Sequence, residues 1–187
     1  MAQFVGINQD NESCASPDGG MKQSYALDLP DLGSVTYDAT NTLEIDGIVI
    51  STTSVTFAKF VYDDDDSAFF NQEGERENKK HNYNQQSSMK FAGLTYSKIA
   101  AAEGIKDSCA MFWLHVLNSG IILPQGIEKD AGSNGFIRPK QTAKATVSIN
   151  SDTGDNEENI TIVVDSVVKT ALTCSLTTTA IEALVGA

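Results

Sequence analysis

Histidine, cysteine and basic side chains are all scarce in this chain. Its 187 residues include two histidines, three cysteines, four prolines and one tryptophan. Each shortage closes off a class of function. No His-x-x-x-His pair is present for zinc, and there is no Gly-x-Ser-x-Gly elbow or Gly-x-x-x-x-Gly-Lys-Ser/Thr loop. His115 lies inside the apolar run Phe112 to Leu117 and reads as a structural strand histidine; His81 lies in a polar stretch and reads as solvated. Cys14, Cys109 and Cys174 are an odd number, widely spaced and without a Cys-x-x-Cys, so unbridged thiols in a reducing compartment are expected. The opening Met1 to Asp10 carries no positive region and no apolar core, so no signal peptide is expected, and the sequons at Asn11 and Asn159 carry no weight. No run of eighteen apolar residues predicts a membrane helix.

Positive charge is short as well. Thirteen Lys and Arg face 25 Asp and Glu, a formal net charge of −12. A protein that grips DNA needs a basic face to neutralise phosphates. The one basic cluster, Lys79, Lys80 and His81 beside Arg76, follows an acidic run. DNA gripping is therefore disfavoured.

What remains is rich in Thr, Val, Ile, Ser and Asn, with apolar positions recurring at a period of two. Strands are expected at 34–38, 43–50, 54–62, 82–91 and 110–117, then at 121–127, 142–149 and 159–165, with a last one within 167–176. The run Ala110 to Leu117 reads as a buried strand, and Pro124 places the following strand at an edge or ends it there. Thr95 to Gly104 reads as one helix, with Thr95 as N-cap and Gly104 as stop. The chain divides into an N-terminal arm over 1–24, a β domain over 25–176 and a C-terminal tail over 177–187. The connection from Asp63 to Lys80 reads as a long charged loop, and loops of that length are usually functional.

Two acidic groups are candidates for cation binding, Asp63–Asp66 and Asp152 with Asp155, Glu157 and Glu158. Neither has the alternate-acid spacing of a calcium loop, so both read as solvated. Trp113, Phe57 and Phe60 read as core rather than as a sugar platform. The residues therefore describe an acidic, mostly β, non-enzymatic domain with no cofactor and no metal.

The order of several weak matches resembles one family. The stretch Cys14 to Lys22, then Tyr25 and Leu29 to Asp38, is followed by Phe57, Phe60, Ala68-Phe69, Glu73 and Asn82 to Gln85. A helix comes next, then the apolar strand Trp113–Leu117, the turn Asn118-Ser-Gly120 and Gln125-Gly-Ile-Glu128. This order resembles the tail tube (major tail) proteins of tailed bacteriophages. The helix here is shorter and richer in Ala, Arg138 and Pro139 interrupt the loop that follows, and 177–187 is additional.

The resemblance implies a β-sandwich- or barrel-like tail tube fold with one flanking helix. It further implies homohexameric rings stacked into a tube in the virion tail, made in the host cytoplasm. The partners are the chain itself and other tail proteins, while double-stranded DNA passes through without being held. Polar strand faces are then the candidates for the lumen: Asn82, Asn84, Gln86 and Ser88 on one strand, Thr142, Thr146 and Ser148 on another. Lys90 and Lys144 share those faces by parity, and neighbouring carboxylates are expected to outweigh them. Asp63, Asp64, Asp65, Asp66, Glu73 and Glu75 are the candidate assembly loop. The alternatives are a head decoration, neck or tail terminator protein and, from other classes, a carbohydrate-binding module or a two-carboxylate hydrolase.

Overall fold

A computed structural model describes residues 20–51, 54–62, 68–77, 80–130, 132, 134–139, 141–150 and 158–185, with only the backbone described at 76–77 and 80–81. The first strands are β1 (Met21–Asp28), β2 (Leu32–Tyr37), β3 (Glu44–Ile50) and β4 (Ala58–Val61). Next come β5 (Ala68–Glu77), β6 (Lys80–Ala92) and helix α1 (Tyr96–Lys106). Then follow β7 (Met111–Leu117), β8 (Ile122–Gln125), β9 (Glu128–Lys129), β10 (Phe136–Ile137), β11 (Gln141–Asn150) and β12 (Asn159–Val168). The chain finishes with β13 (Thr173–Cys174) and α2 (Thr178–Glu182).

Eleven strands form one sheet in the order β2-β3-β13-β8-β7-β11-β12-β6-β5, with β1 paired to β7 and β4 to β1. Strands β9 and β10 form a separate hairpin. The pairing of β13 with β3 is parallel, so the sheet is mixed.

This corrects the expected sandwich- or barrel-like tail tube fold. The sheet is open and does not close on itself. The cause lies at β7, where β8 takes Trp113 to Val116 while β11 meets the strand only at Met111↔Ala143. The four strands β11-β12-β6-β5 therefore leave as a separate wing, and its last strand finds no strand partner beyond β6 among the described residues. At the far end of the sheet β2 is covered: Val35 N–H donates to the Asn134 carbonyl at 2.8 Å. Gly135 makes that approach possible, because at its φ of 75° a Cβ would stand 1.9 Å from the Val35 oxygen.

Strand β7 is buried on both faces, which explains its unbroken apolar run. Met111 and Trp113 pack with Phe60, Met89, Phe91, Ile160, Ile162 and Val164 on the wing side. Phe112, Leu114 and Val116 pack on the other side with Tyr25, Leu27, Phe57 and Ile181 of α2. Helix α1 starts as expected, with the Thr95 side chain accepting from Lys98 N–H at 3.2 Å. It runs past Gly104 to Lys106, because Ile105 is fully buried and anchors another turn. Ala101 and Ala102 complete the face that lies on the wing.

A second correction concerns Asp63 to Lys80. Residues 68–77 form an edge strand rather than a loop, in register with β6 from Ala68↔Met89 to Glu77↔Lys80. Charge at alternate positions masks the strand's period of two: Asn71, Glu73 and Glu75 face water. Asp63, Asp64, Asp65 and Asp66 lie outside the described residues, as does the acidic segment 151–157.

Candidate functional site

The wing is a half-buried sheet, and its side chains alternate accordingly. Inward go Gln85, Ser87, Met89 and Phe91 of β6, with Ile160, Ile162, Val164 and Ser166 of β12. Outward go Asn84, Gln86, Ser88 and Lys90 of β6 and Lys144, Thr146 and Ser148 of β11. Strand β12 lies between β6 and β11 and joins these two sets into one face. Its residues Thr161, Val163, Asp165 and Val167 stand opposite Lys90, Ser88, Gln86 and Asn84 on one side. On the other side Thr161, Val163 and Asp165 stand opposite Ser148, Thr146 and Lys144. Strand β5 extends the face with Phe69, Asn71, Glu73 and Glu75 opposite Ser88, Gln86, Asn84 and Asn82.

The candidate lumen residues are thus brought together, although about fifty positions separate the two strands in sequence. Asn82 lies at the margin beside Glu75, and Thr142 at a register shift between Gln141 and Lys144. Two residues of the candidate assembly loop, Glu73 and Glu75, belong to this same face. Sequence reasoning missed Asp165, Val163, Thr161 and Asn71. In β12 the solvent side carries two valines, so the strand reads as apolar throughout.

Three amides of the face are paired with its own carboxylates. Gln86 Nε2 donates to Asp165 Oδ1 at 2.8 Å, Asn71 Nδ2 to Glu73 Oε1 at 3.0 Å and Asn84 Nδ2 to Glu75 Oε2 at 3.3 Å. A shallow depression of about 500 Å³ lies among Asn71, Glu73, Asn84, Gln86, Gln141 and Asp165. Its lining is mostly carboxamide. Lys90 and Lys144 are set against Glu73, Glu75 and Asp165, so the described part of the face carries a net charge of −1. Among the described residues no group of three His, Cys, Asp or Glu side chains is placed to hold a metal ion.

Beneath the face lies a buried polar layer that the sequence did not disclose. Gln125 Oε1 accepts from Ser87 Oγ at 2.9 Å and stands 2.8 Å from His115 Nε2. Those two contacts put the imidazole proton on Nε2, leaving Nδ1 to accept from Ser24 Oγ at 2.7 Å. Gln125 Nε2 donates to the Val164 carbonyl at 3.0 Å and the Gln85 carbonyl at 3.3 Å. Gln85 Oε1 accepts from Ser166 Oγ at 3.0 Å, while its Nε2 donates to Gln72 Oε1 at 2.9 Å. The layer ties the wing to the central strands where the ladder does so at one residue pair. Burial holds His115 neutral, with its pKa depressed to about 4 against a smaller upward pull from Gln125. Trp113 stacks on the imidazole, centroids 5.8 Å apart.

Cys109 and Cys174 are free thiols, the first exposed and the second buried, where desolvation pushes the thiol pKa up to about 11. Cys14 lies outside the described residues. No helix among the described residues is long and apolar enough to cross a membrane.

No family model, no curated protein and no solved structure matches the chain.

Proposed function

We propose that the protein is a structural subunit that assembles through the edges of its wing into rings, and that stacked rings form the tail tube of a tailed bacteriophage. One observation carries this reading: among the described residues, a four-stranded wing shows a polar face to solvent, with an unpaired strand edge on one side and an edge paired at a single residue on the other. On one side the outer edge of β5 has no strand partner among the described residues, and on the other β11 meets β7 at Ala143 alone. A long open edge is an aggregation hazard unless a partner takes it. Pairing β5 of one copy with β11 of the next is a head-to-tail contact, and such contacts close into rings when the rotation permits. The single chain stays an open sheet, and closure belongs to the ring.

In the ring the polar face becomes the lumen wall. Three of its amides are engaged by carboxylates of the same face, and its charge is slightly negative. Such a wall repels phosphate weakly and lets a duplex slide, because each basic contact would add affinity. The number six rests on the resemblance alone.

The test is negative-stain microscopy with edge-blocking variants. The wild-type protein is expected to form rings or tubes. Adjacent residues of an edge strand alternate between pointing their N–H at the ladder and away from it. Of Asn71→Pro and Gln72→Pro, one therefore removes an outward N–H. That variant should keep the β spectrum and lose assembly. A wild-type protein that stays monomeric at high concentration would overturn the reading, as would both folded variants assembling normally.

A further inference from the structure

The β9–β10 hairpin lies as a strap along β2, the outermost strand at its end of the sheet. Lys129 anchors one arm, with its Nζ 4.8 Å from the Tyr37 ring centroid and donating to the Thr42 carbonyl. The backbone bond that covers the β2 edge runs through one peptide group. Its carbonyl, from Asn134, accepts from Val35 N–H at 2.8 Å, and its N–H, from Gly135, donates to the Gly132 carbonyl at 3.1 Å. That peptide also joins the one Asn-Gly pair in the sequence, and Asn134 is exposed. Asn-Gly is the pair at which an asparagine side chain cyclises most readily, because glycine has no Cβ to shield its nitrogen.

The chemistry needs only water. The Gly135 nitrogen bonds to Asn134 Cγ, the Cγ–Nδ2 bond breaks, and ammonia leaves with the proton that the Gly135 nitrogen has given up. Water then opens the succinimide. Where it cleaves the bond between the Gly135 nitrogen and the original main-chain carbonyl, the product is isoaspartate, with a backbone one methylene longer. In the closed strap the nitrogen is engaged with Gly132, so the peptide has to rotate out before it reacts. The same rotation takes the Asn134 carbonyl off Val35. Opening of the strap and reaction are therefore coupled, and local opening of a surface segment costs far less than global unfolding. The product does not fit back. An atom at the Cβ position of Gly135 would stand 1.9 Å from the Val35 oxygen, so there is no room on that side for a longer backbone. The former carbonyl has also become a carboxylate in a loop that already carries Asp130.

We infer that the Asn134–Gly135 peptide is a self-modifying latch: when the strap opens it converts to isoaspartate, and the modified strap leaves the edge of β2 uncovered. The inference does not rest on the tail tube reading. It is tested on the monomer, so one can fail without the other.

The test is to age the folded protein at mildly alkaline pH and follow it by peptide mapping, isoaspartyl methyltransferase labelling and hydrogen exchange. Isoaspartate should accumulate at position 134 ahead of the Asn118-Ser119 pair, which serves as internal reference. In the modified fraction the Val35 amide should exchange roughly ten-fold faster, the factor that loss of one hydrogen bond brings. Asn134→Gln keeps the backbone bond to Val35 but has to close a larger ring, so it should age without either change. Freshly prepared Asn134→Asp adds the charge without the methylene and should exchange at Val35 as the unaged wild type does. An Asn134 that outlasts Asn118 would overturn the inference, as would isoaspartate forming while Val35 stays protected. Fast exchange in fresh Asn134→Asp would overturn it too, because charge and not backbone length would then open the strap.

Discussion

The central strands and the wing solve the same problem in different ways. In β7 every side chain from Met111 to Val116 is buried, and the strand takes its place by apolar contact on both faces. In β6 amides and hydroxyls occupy both faces: Asn84, Gln86 and Ser88 outside, Gln85 and Ser87 inside. The outer set meets water and its neighbours across the strands. The inner set is held by a chain of hydrogen bonds reaching His115 and Ser24. Identical residue types therefore do opposite jobs on one strand, and the difference is whether water can replace a lost partner. The central strands supply stability, whereas the wing supplies a surface that tolerates change.

Substituting both regions should break or sharpen that contrast. Trp113→Ala removes a fully buried indole from the contact with Phe60 and His115. The expected cost is about 3–5 kcal/mol, read as a fall in the denaturant midpoint. Thr146→Ala on the wet face should stay within about 0.5 kcal/mol of wild type. Comparable losses at the two positions would mean that the outer face is structural and not a working surface.

The buried layer gives a pH signature that separates it from the surface. His115 titrates near 4 when folded, below the 6.5 of an exposed imidazole. Between those values the unfolded chain takes up a proton that the folded chain refuses. Stability therefore falls as pH drops from about 6.5 towards 4 and levels off below it. At about 1.36 kcal/mol per pKa unit the loss comes to about 3 kcal/mol. His115→Gln should flatten that segment of the profile by the same amount, although it lowers stability at neutral pH. An unchanged slope in the variant would place the acid sensitivity among the surface carboxylates.

The sequence made parts of this legible for physical reasons. The strand at 142–149 was readable because one wet face and one dry face leave a period of two, and the strand at 82–91 from its sparse apolar positions Tyr83, Met89 and Phe91, which share one parity. The helix was readable from its Thr95 cap, but its end was not, since the buried Ile105 that carries it beyond Gly104 is a tertiary fact. Strand β5 was hidden because its sequence from Asn71 to Glu77 is polar on both sides, and pairing with β6 alone makes it a strand. The open sheet was equally out of reach. Closure depends on which edges meet, and the single pair Met111↔Ala143 leaves no local trace. Of the candidate face, the residues on β6 and β11 were visible; β12 was expected as a strand over 159–165, but its place between them in the face was not.

The smallest expected change in stability carries the most information about function. Asp165→Asn with Glu73→Gln removes two carboxylates from the wet face while preserving shape and hydrogen-bond acceptors. The carboxamide oxygen introduced at position 165 would still accept from Gln86, so each substitution should cost no more than about 0.5 kcal/mol. The net charge of the described face changes from −1 to +1, because Lys90 and Lys144 remain against Glu75 alone. If the face lines a conduit, the assembled variant should bind duplex DNA at low salt and release it as salt rises, while the wild-type assembly should bind none. Fluorescence anisotropy of a labelled duplex reads both states. A variant that assembles, carries the extra positive charge and still ignores DNA would place this face on the outside of the particle. Lys144 provides the internal control: Lys144→Gln added to the variant should abolish the new binding without altering assembly, since its side chain is exposed and hydrogen-bonding at the β11 edge belongs to the backbone.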